Sequence, residues 1–402
     1  MLQRLQGAVP LEAAVLELLS GLPLSFWPRP CKRIRDWHER AKAPSSNTGA
    51  YNQARLSLPL SVVQQSCDRM FDKLMAELGD SGSALRPFFL DGSSLRAAHS
   101  EALCQAYPPG SNQYREGHWP LLRMLVAHDL HTGLAMRPEW GPMYGPDAVS
   151  EQELLKRSLP RLPDGATVIG DANFGVFSVA WAAAQSGHPV LLRLTVQRAK
   201  RLAGGPLRDD TDRTVVWKPS REDRKNNPDL PAEASLQGRL IVQLVKPDNG
   251  SESFLLALFT TLAEPWQQIL ALYGKRWHIE TDLRTLKSTL KLDQLTCSTP
   301  EMVAKEIDTG IAAYNLVRAM TCLASQQSGI PPRGYSFTKV RRILEVFGPV
   351  LAAAPDTQTT QRIFDQMMRC IDQARLPRRK GKRASCPRTV WKRGETYPNR
   401  KT

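Results

Sequence analysis

Residues 167–195 read TVIGDANFGVFSVAWAAAQSGHPVLLRLT. Thr167-Val-Ile-Gly-Asp171 is a short apolar run ended by an acid, which reads as a strand that stops at a turn. Val176 to Gln185 is apolar and long enough for a helix, and Gly187 closes it. Val190 to Thr195 reads as a strand again. Upstream, Phe88-Phe-Leu-Asp91 is a short strand ended by Gly92, Leu121 to Ala127 a second, and His128 to Gly133 a turn into a third at Leu134-Ala-Met136. Val149 to Leu159 reads as a helix. Three strands, then helix, strand, helix, strand predict a mixed α/β layer architecture.

Residues 197–236 break the pattern. They are charged and rich in Gly, Pro and Asn, with one β-rich hexamer, Thr214-Val-Val-Trp-Lys-Pro219. Leu240 to Val245 and Phe254 to Leu262 read as further strands, so about 197–255 is expected to be a β-rich insertion. Trp266 to about Leu290 reads as one long helix. Thr299-Pro300-Glu301 opens another, with cap, proline and first-turn acid in order, running to Ser328-Gly329. Phe337 to Phe347 is amphipathic and precedes more helix. The N-terminal region reads as helical, with one segment from Val9 to Leu19. A second follows Pro59, with Val62, Val63, Met70, Phe71, Leu74 and Leu78 at helical spacing. The expected division is a helical 1–80, a core in two parts (81–196 and 256–345) around the 197–255 insertion, and a C-terminal helix with basic tail, 346–402.

Composition narrows the class. The chain has 402 residues, 42% hydrophobic and 23% charged, enough for two or three domains and unlike a disordered chain, a collagen or a coiled-coil rod. No stretch approaches the roughly 18 apolar residues of a membrane span. Leu11 to Leu19 carries Glu12 and Glu17 and is a poor secretory segment, so a cytoplasmic protein without membrane contact is expected. Seven scattered cysteines with no Cys-x-x-Cys pair argue against a disulfide framework or a thiolate zinc site. The net charge of +15 suggests a polyanionic partner, nucleic acid first. From Arg375 onward 11 Lys/Arg face one acid, Glu395, which reads either as a DNA-gripping tail or as a solvated one.

On the expected long helix, Tyr273, Arg276, Glu280 and Lys287 share one stripe. At about 100° per residue, with Arg276 at zero, Lys287 falls near 20°, Glu280 near 40° and Tyr273 near 60°. Leu272, Ile279, Leu283, Leu286 and Leu290 form a core stripe beside it. The polar stripe is either the margin of a cleft or an exposed face with Arg276–Glu280 as an i,i+4 ion pair. Asp91 and Asp171, each at the end of an apolar strand, carry charge that burial penalises unless a cation or hydrogen bonds satisfy it. With Glu280 they make a candidate hard-oxygen cage, of the kind that suits Mg²⁺ and phosphoryl displacement. His128-Asp-Leu-His131 lacks a third ligand and reads as a polar turn. No phosphate-binding Gly-x4-Gly-Lys-Ser/Thr loop occurs. Trp266, Trp277 and Phe254 could stack on an unpaired base, but read first as core.

The spacing Tyr273-x2-Arg276-x3-Glu280-x6-Lys287 resembles the signature of DDE transposases of the insertion-sequence-four family at all four positions. Asp91-Gly-Ser-Ser resembles the first acidic box, and Val168-Ile-Gly-Asp171-Ala-Asn-Phe174 the second. Thr48-Gly-Ala-Tyr-Asn-Gln-Ala-Arg55 resembles a stretch common before the catalytic domain, and Leu272 to Asp293 and Pro300 to Arg318 also read like the family. Many relatives have Arg-Gly-Phe after the second Asp, where this chain has Ala172-Asn173-Phe174. The resemblance implies an RNase H-like mixed sheet with a β-strand insertion between the second Asp and the Glu, here 109 residues apart. It implies Asp91, Asp171 and Glu280 as a catalytic triad holding Mg²⁺ or Mn²⁺, two ions, with Tyr273, Arg276 and Lys287 on DNA phosphates. It implies cut-and-paste cleavage and strand transfer at the inverted-repeat ends of a bacterial insertion sequence, on double-stranded DNA, by a synaptic homodimer. Two other readings stand beside it: an RNase H-fold endonuclease that cuts without joining, and a DNA-binding derivative without catalysis. The retained acids count against the last.

Overall fold

The computed structural model describes Gln53 and residues 55–79, 85–111, 116–246, 252–290, 292–352 and 354–377. The expected helix from Val9 to Leu19, most of the Thr48 to Arg55 stretch and nearly all of the basic tail lie outside the described residues.

Helix α1 (Leu60–Leu78) buries Val63, Cys67, Met70, Phe71, Leu74 and Leu78, one stripe at 3.6-residue spacing. Val62, expected on that stripe, lies about 100° away and faces outward. Strand β1 (Arg86–Arg96) is followed by α2 (Glu101–Ala106), β2 (Pro109–Ser111), β3 (Glu116–Asp129) and β4 (Glu139–Pro142). The third strand therefore starts later than Leu134. Leu134 and Met136 bond back to β3, through Asp129 N to Leu134 O (2.8 Å) and Met136 N to Ala127 O (2.9 Å). Pro138 then offers no N–H, and pairing resumes only at Glu139. Helix α3 (Glu151–Ser158) is capped by the Ser150 hydroxyl, which accepts from Glu153 N at 3.0 Å. Strand β5 (Ala166–Gly170), α4 (Phe177–Gln185) and β6 (Val190–Arg193) follow as expected.

These strands form one sheet in the order β2-β3-β1-β5-β6, with β4 beside β3. β1, β5 and β6 are parallel; β3 runs antiparallel to β1. All five residues of β5 are buried, as a central parallel strand requires. The segment expected as an insertion holds α5 (Val196–Ala203), β7 (Thr211–Trp217), α6 (Arg221–Asn226) and β8 (Leu236–Val245), and β9 (Phe254–Thr260) starts at its end. Its strands do not make a sheet of their own: β9 pairs with β6, and β8 and β7 follow outward. The two helices were hidden in polar sequence, although Thr195 caps α5 and a Ser220–Asp223 capping box opens α6. This mixed sheet with flanking helices is an RNase H-like architecture.

The expected long helix is broken. Helix α7 (Trp266–Gly274) ends at a poor helix former, and α8 (Trp277–Arg284) begins three residues later. Between them Lys275 N and Arg276 N reach back only three residues, to Leu272 O (3.2 Å) and Tyr273 O (2.9 Å). Beyond α8 the backbone widens into a π-turn, Thr285–Thr289. Helix α9 (Pro300–Ser328) matches its expected bounds, from the Thr299 cap to Gly329 with φ +71. It is buried nearly all round, against α1 on one side and against α10 (Phe337–Ala352) and α11 (Thr357–Asp372) on the other. No described helix is long and apolar enough to cross a membrane. The five described cysteines are free.

A buried ion cluster locks α8 to this helical layer. Asp282 is 0% exposed and accepts from Arg318 of α9 and from Arg333 Nη2 at 2.7 Å. Burial pushes its carboxyl up, but Arg318 and Arg333 outweigh burial and hold it below the ordinary carboxylate range. A lowered acid stabilises the fold above its unfolded value, and that contribution is lost as pH falls below about 4. Asp282→Asn leaves two buried cations without a counter-charge and is expected to destabilise the protein by about 3–5 kcal/mol at pH 7. Urea unfolding reads this directly; a loss under about 1 kcal/mol contradicts the role given to the cluster.

Candidate active site

The β1–β5 ladder brings the two aspartates close enough for Asp171 to act on the Asp91 carboxyl. The parallel β1–β5 ladder ends at Phe89↔Ile169. Two residues further on stand Asp91, still inside β1, and Asp171, the first residue beyond β5. Asp171 follows β5 directly, as expected. Asp91 does not end its strand: β1 continues to Arg96, and Asp91 stays paired with Val126 of β3. Gly92 therefore lies inside the strand rather than terminating it.

Burial pushes the Asp91 carboxyl up to about 6. The Gly92 N–H, donating to Oδ1 at 2.8 Å, and the nearby Arg276 pull it down, while Asp171 and Glu151 push it further up. The Asp171 side chain caps its own turn, accepting from Asn173 N at 2.8 Å.

Helix α8 approaches β1 and brings the third acid. Glu280 lies in its first turn, paired with Arg276 (Nη1–Oε1 2.7 Å). The bland i,i+4 ion pair is thus present, but it is not an isolated surface pair, because Arg276 also acts on Asp91. Tyr273 is buried, its ring 6.5 Å from Phe89, one alternation from Asp91 on the same strand face. Its hydroxyl has no partner in hydrogen-bond geometry, and burial pushes the phenol up to about 12 against the pull of Arg193 and Arg276. Asp91, Asp171, Tyr273, Arg276 and Glu280 therefore share one locale. Lys287 is half-buried in the π-turn and makes no ion pair among the described residues.

Two aromatic expectations are corrected. Trp277 is 58% exposed and Phe254 is 42% exposed, with the Arg193 guanidinium 5.8 Å from the Phe254 ring; only Trp266 packs on the core. Both exposed residues flank helix or strand ends where no layer covers them. His128 is buried beside Tyr314, and burial lowers its ring to about 4, which leaves it neutral. Residues that gave no sequence signal also hold the site. Gln152 donates to Asn173 O (2.8 Å) and Arg198 to Ala172 O (3.0 Å), fixing the turn after Asp171. Beside that turn opens a groove of about 870 Å³ lined by Arg198, Arg201, Lys218, Gln152, Ser178 and Trp217.

Among the described residues no three His, Cys, Asp or Glu side chains stand close enough to hold one ion together. The aspartate pair nonetheless fits a hard divalent cation, since Asp91 is half-desolvated next to other carboxylates. A raised acid binds its proton more tightly in the fold, so the metal-free protein loses stability as pH rises from about 4 to about 6. Asp91→Asn is expected to raise the melting temperature in EDTA above pH 6 and to change little near pH 4. Equal melting at both pH values contradicts the strained pair.

The Transposase DDE domain family matches residues 82–316, a span that holds both aspartates, Glu280 and the sheet that aligns them. The chain is 25% identical over 324 residues to Transposase InsG for insertion sequence element IS4 of Escherichia coli, covering 77% of this chain and 68% of that protein. Among solved structures it is similar to the piggyBac transposase synaptic complex with hairpin DNA, at 13% identity and TM-score 0.41, over 72% of this chain and 58% of that one. The family model covers more than half of the chain, and the chain belongs to the DDE transposase domain family.

Proposed function

We propose that this chain is the transposase of a bacterial insertion sequence, cleaving DNA at inverted-repeat ends and joining it to a target in a metal-dependent reaction. The observation that supports this reading is the parallel β1–β5 ladder, which stops just before Asp91 and Asp171, together with the Arg276–Glu280 pair at the start of the helix that packs against β1. Asp91 and Asp171 would hold Mg²⁺ or Mn²⁺, with Glu280 joining them. Two such ions, when bound, polarise the phosphate and activate the attacking oxygen.

The chain's own residues do the rest. Arg276 neutralises Glu280 in the free protein and transfers to a DNA phosphate on binding, which exchanges one charge-assisted bond for another. The buried Tyr273 supports Arg276 and Asp91 from beneath, and Lys287 grips the backbone further along. The groove with Arg198, Arg201 and Lys218 lies where a strand leaving the Asp171 turn would run. The N-terminal 1–80 and the tail beyond 346 supply further DNA affinity, and two protomers pair the two ends. The reaction runs on chromosomal DNA in the cytoplasm.

Asp91→Ala, Asp171→Ala and Glu280→Ala are each expected to cut cleavage by roughly several hundred-fold or more while leaving end binding largely intact, since metal stabilisation of charge is worth several kcal/mol. Lys287→Ala should lower the salt slope of end binding by about 0.9, one phosphate contact. The assay is a supercoiled plasmid carrying paired ends. Excision with integration supports a transposase; cleavage alone points to an endonuclease; a gel shift with neither contradicts the enzymatic reading.

A further inference from the structure

Glu151, the first residue of α3, lies between the turn that follows Asp171 and the strand residue that follows Asp91. Its Oε2 accepts from the Asn173 side chain at 2.6 Å, and Asn173 N in turn holds Asp171 Oδ1 at 2.8 Å. On the other side the Glu151 carboxyl lies against Gly92, next to Asp91: a Cβ built at Gly92 would meet Glu151 Cδ and Oε1 at 2.3 Å. One side chain thus touches the turn that carries Asp171 and the strand residue that follows Asp91. The bond uses the amide of Asn173, a donor that a glycine at this position would lack.

We propose that Glu151 is a positioning residue that sets the spacing of Asp91 and Asp171, with Asn173 and Gly92 as its two seats. It acts through the aspartates, not on the reacting phosphate, and the claim rests on the reading of the aspartate pair as a cation site. A carboxylate pair binds a small hard cation well only at one separation, so a freed Asp171 turn lowers affinity. Outer residues that orient metal ligands are worth about 10- to 100-fold in metal affinity.

The test measures Mn²⁺ affinity of the full chain, without DNA, by electron paramagnetic resonance. Glu151→Ala is expected to weaken binding about tenfold or more. Glu151→Gln keeps an amide oxygen for Asn173 and the same volume, and is expected to stay within about threefold of wild type. Asn173→Ala should weaken binding like Glu151→Ala, and the double variant should be no weaker than either single one, since both remove the same link. Gly92→Ala offers an independent probe. Its methyl displaces only the flexible end of Glu151 and not backbone, so it should weaken Mn²⁺ binding without unfolding the protein. Unchanged affinity in Glu151→Ala, or a loss in Glu151→Gln as large as in Glu151→Ala, overturns the spacing role. Asp91→Asn separates the two levels. If it weakens Mn²⁺ binding while Glu151→Ala does not, only the spacing role falls; if it leaves binding intact, the cation reading falls and takes the spacing role with it.

Discussion

The cluster of Asp282 with Arg318 and Arg333 is the constraint on which the site depends. A buried carboxylate between two guanidinium groups tolerates little displacement, because moving any one leaves a charge uncompensated in a poor dielectric. Asp282 is two residues from Glu280, so fixing it fixes the start of α8. Arg333 also donates to the Leu130 and Asp129 carbonyls at the end of β3. On α9, Asn315 pairs with both backbone groups of Ala135 (2.8 and 2.7 Å), and Tyr314 donates to Gly133 O at 2.9 Å. The β3–β4 turn, α8 and α9 are thereby one unit. The helix acid is referenced to the sheet that carries the two strand acids through bonds that do not touch the site.

Against that rigid frame the site itself is left electrostatically unsatisfied. Asp91 is pushed upward by burial and by two neighbouring carboxylates, and Arg276 is the cation that offsets them. Arg276 serves Glu280 at the same time. On the proposed reading, a divalent cation on the acids would free this guanidinium for a phosphate. The fold carries this local cost because its stability is secured elsewhere.

Much of this was legible in the sequence because it rests on local rules. Thr299-Pro300 and Gly329 bound α9 by capping chemistry alone, and Thr167 to Asp171 reads as a buried strand ending in an acid. The four-residue signature was read on one straight helix, but that helix is broken at Gly274 and widened at Thr285–Thr289, which helical periodicity alone does not reveal. What escaped has its cause at long range. Asp282 looks like any helix-margin acid until Arg318, 36 residues away, and Arg333 arrive beside it. Glu151 reads as an ordinary first-turn acid favoured by the helix dipole; only the fold sets it against Gly92 and Asn173. Trp277 and Phe254 read as core on hydrophobicity alone, which says nothing about whether another layer covers them. The helices α5 and α6 sat in a segment whose charge outweighed its capping signals.

On the proposed reading Arg276 holds Glu280 until metal and DNA arrive. A crystal structure of the chain with Mg²⁺ and a pre-cleaved end duplex tests it most directly. The account predicts Arg276 on a phosphate oxygen and a Glu280 oxygen about 2.1 Å from an ion also held by Asp91 and Asp171. An Arg276–Glu280 pair still at 2.7 Å, with the ion on the aspartates alone, would contradict it.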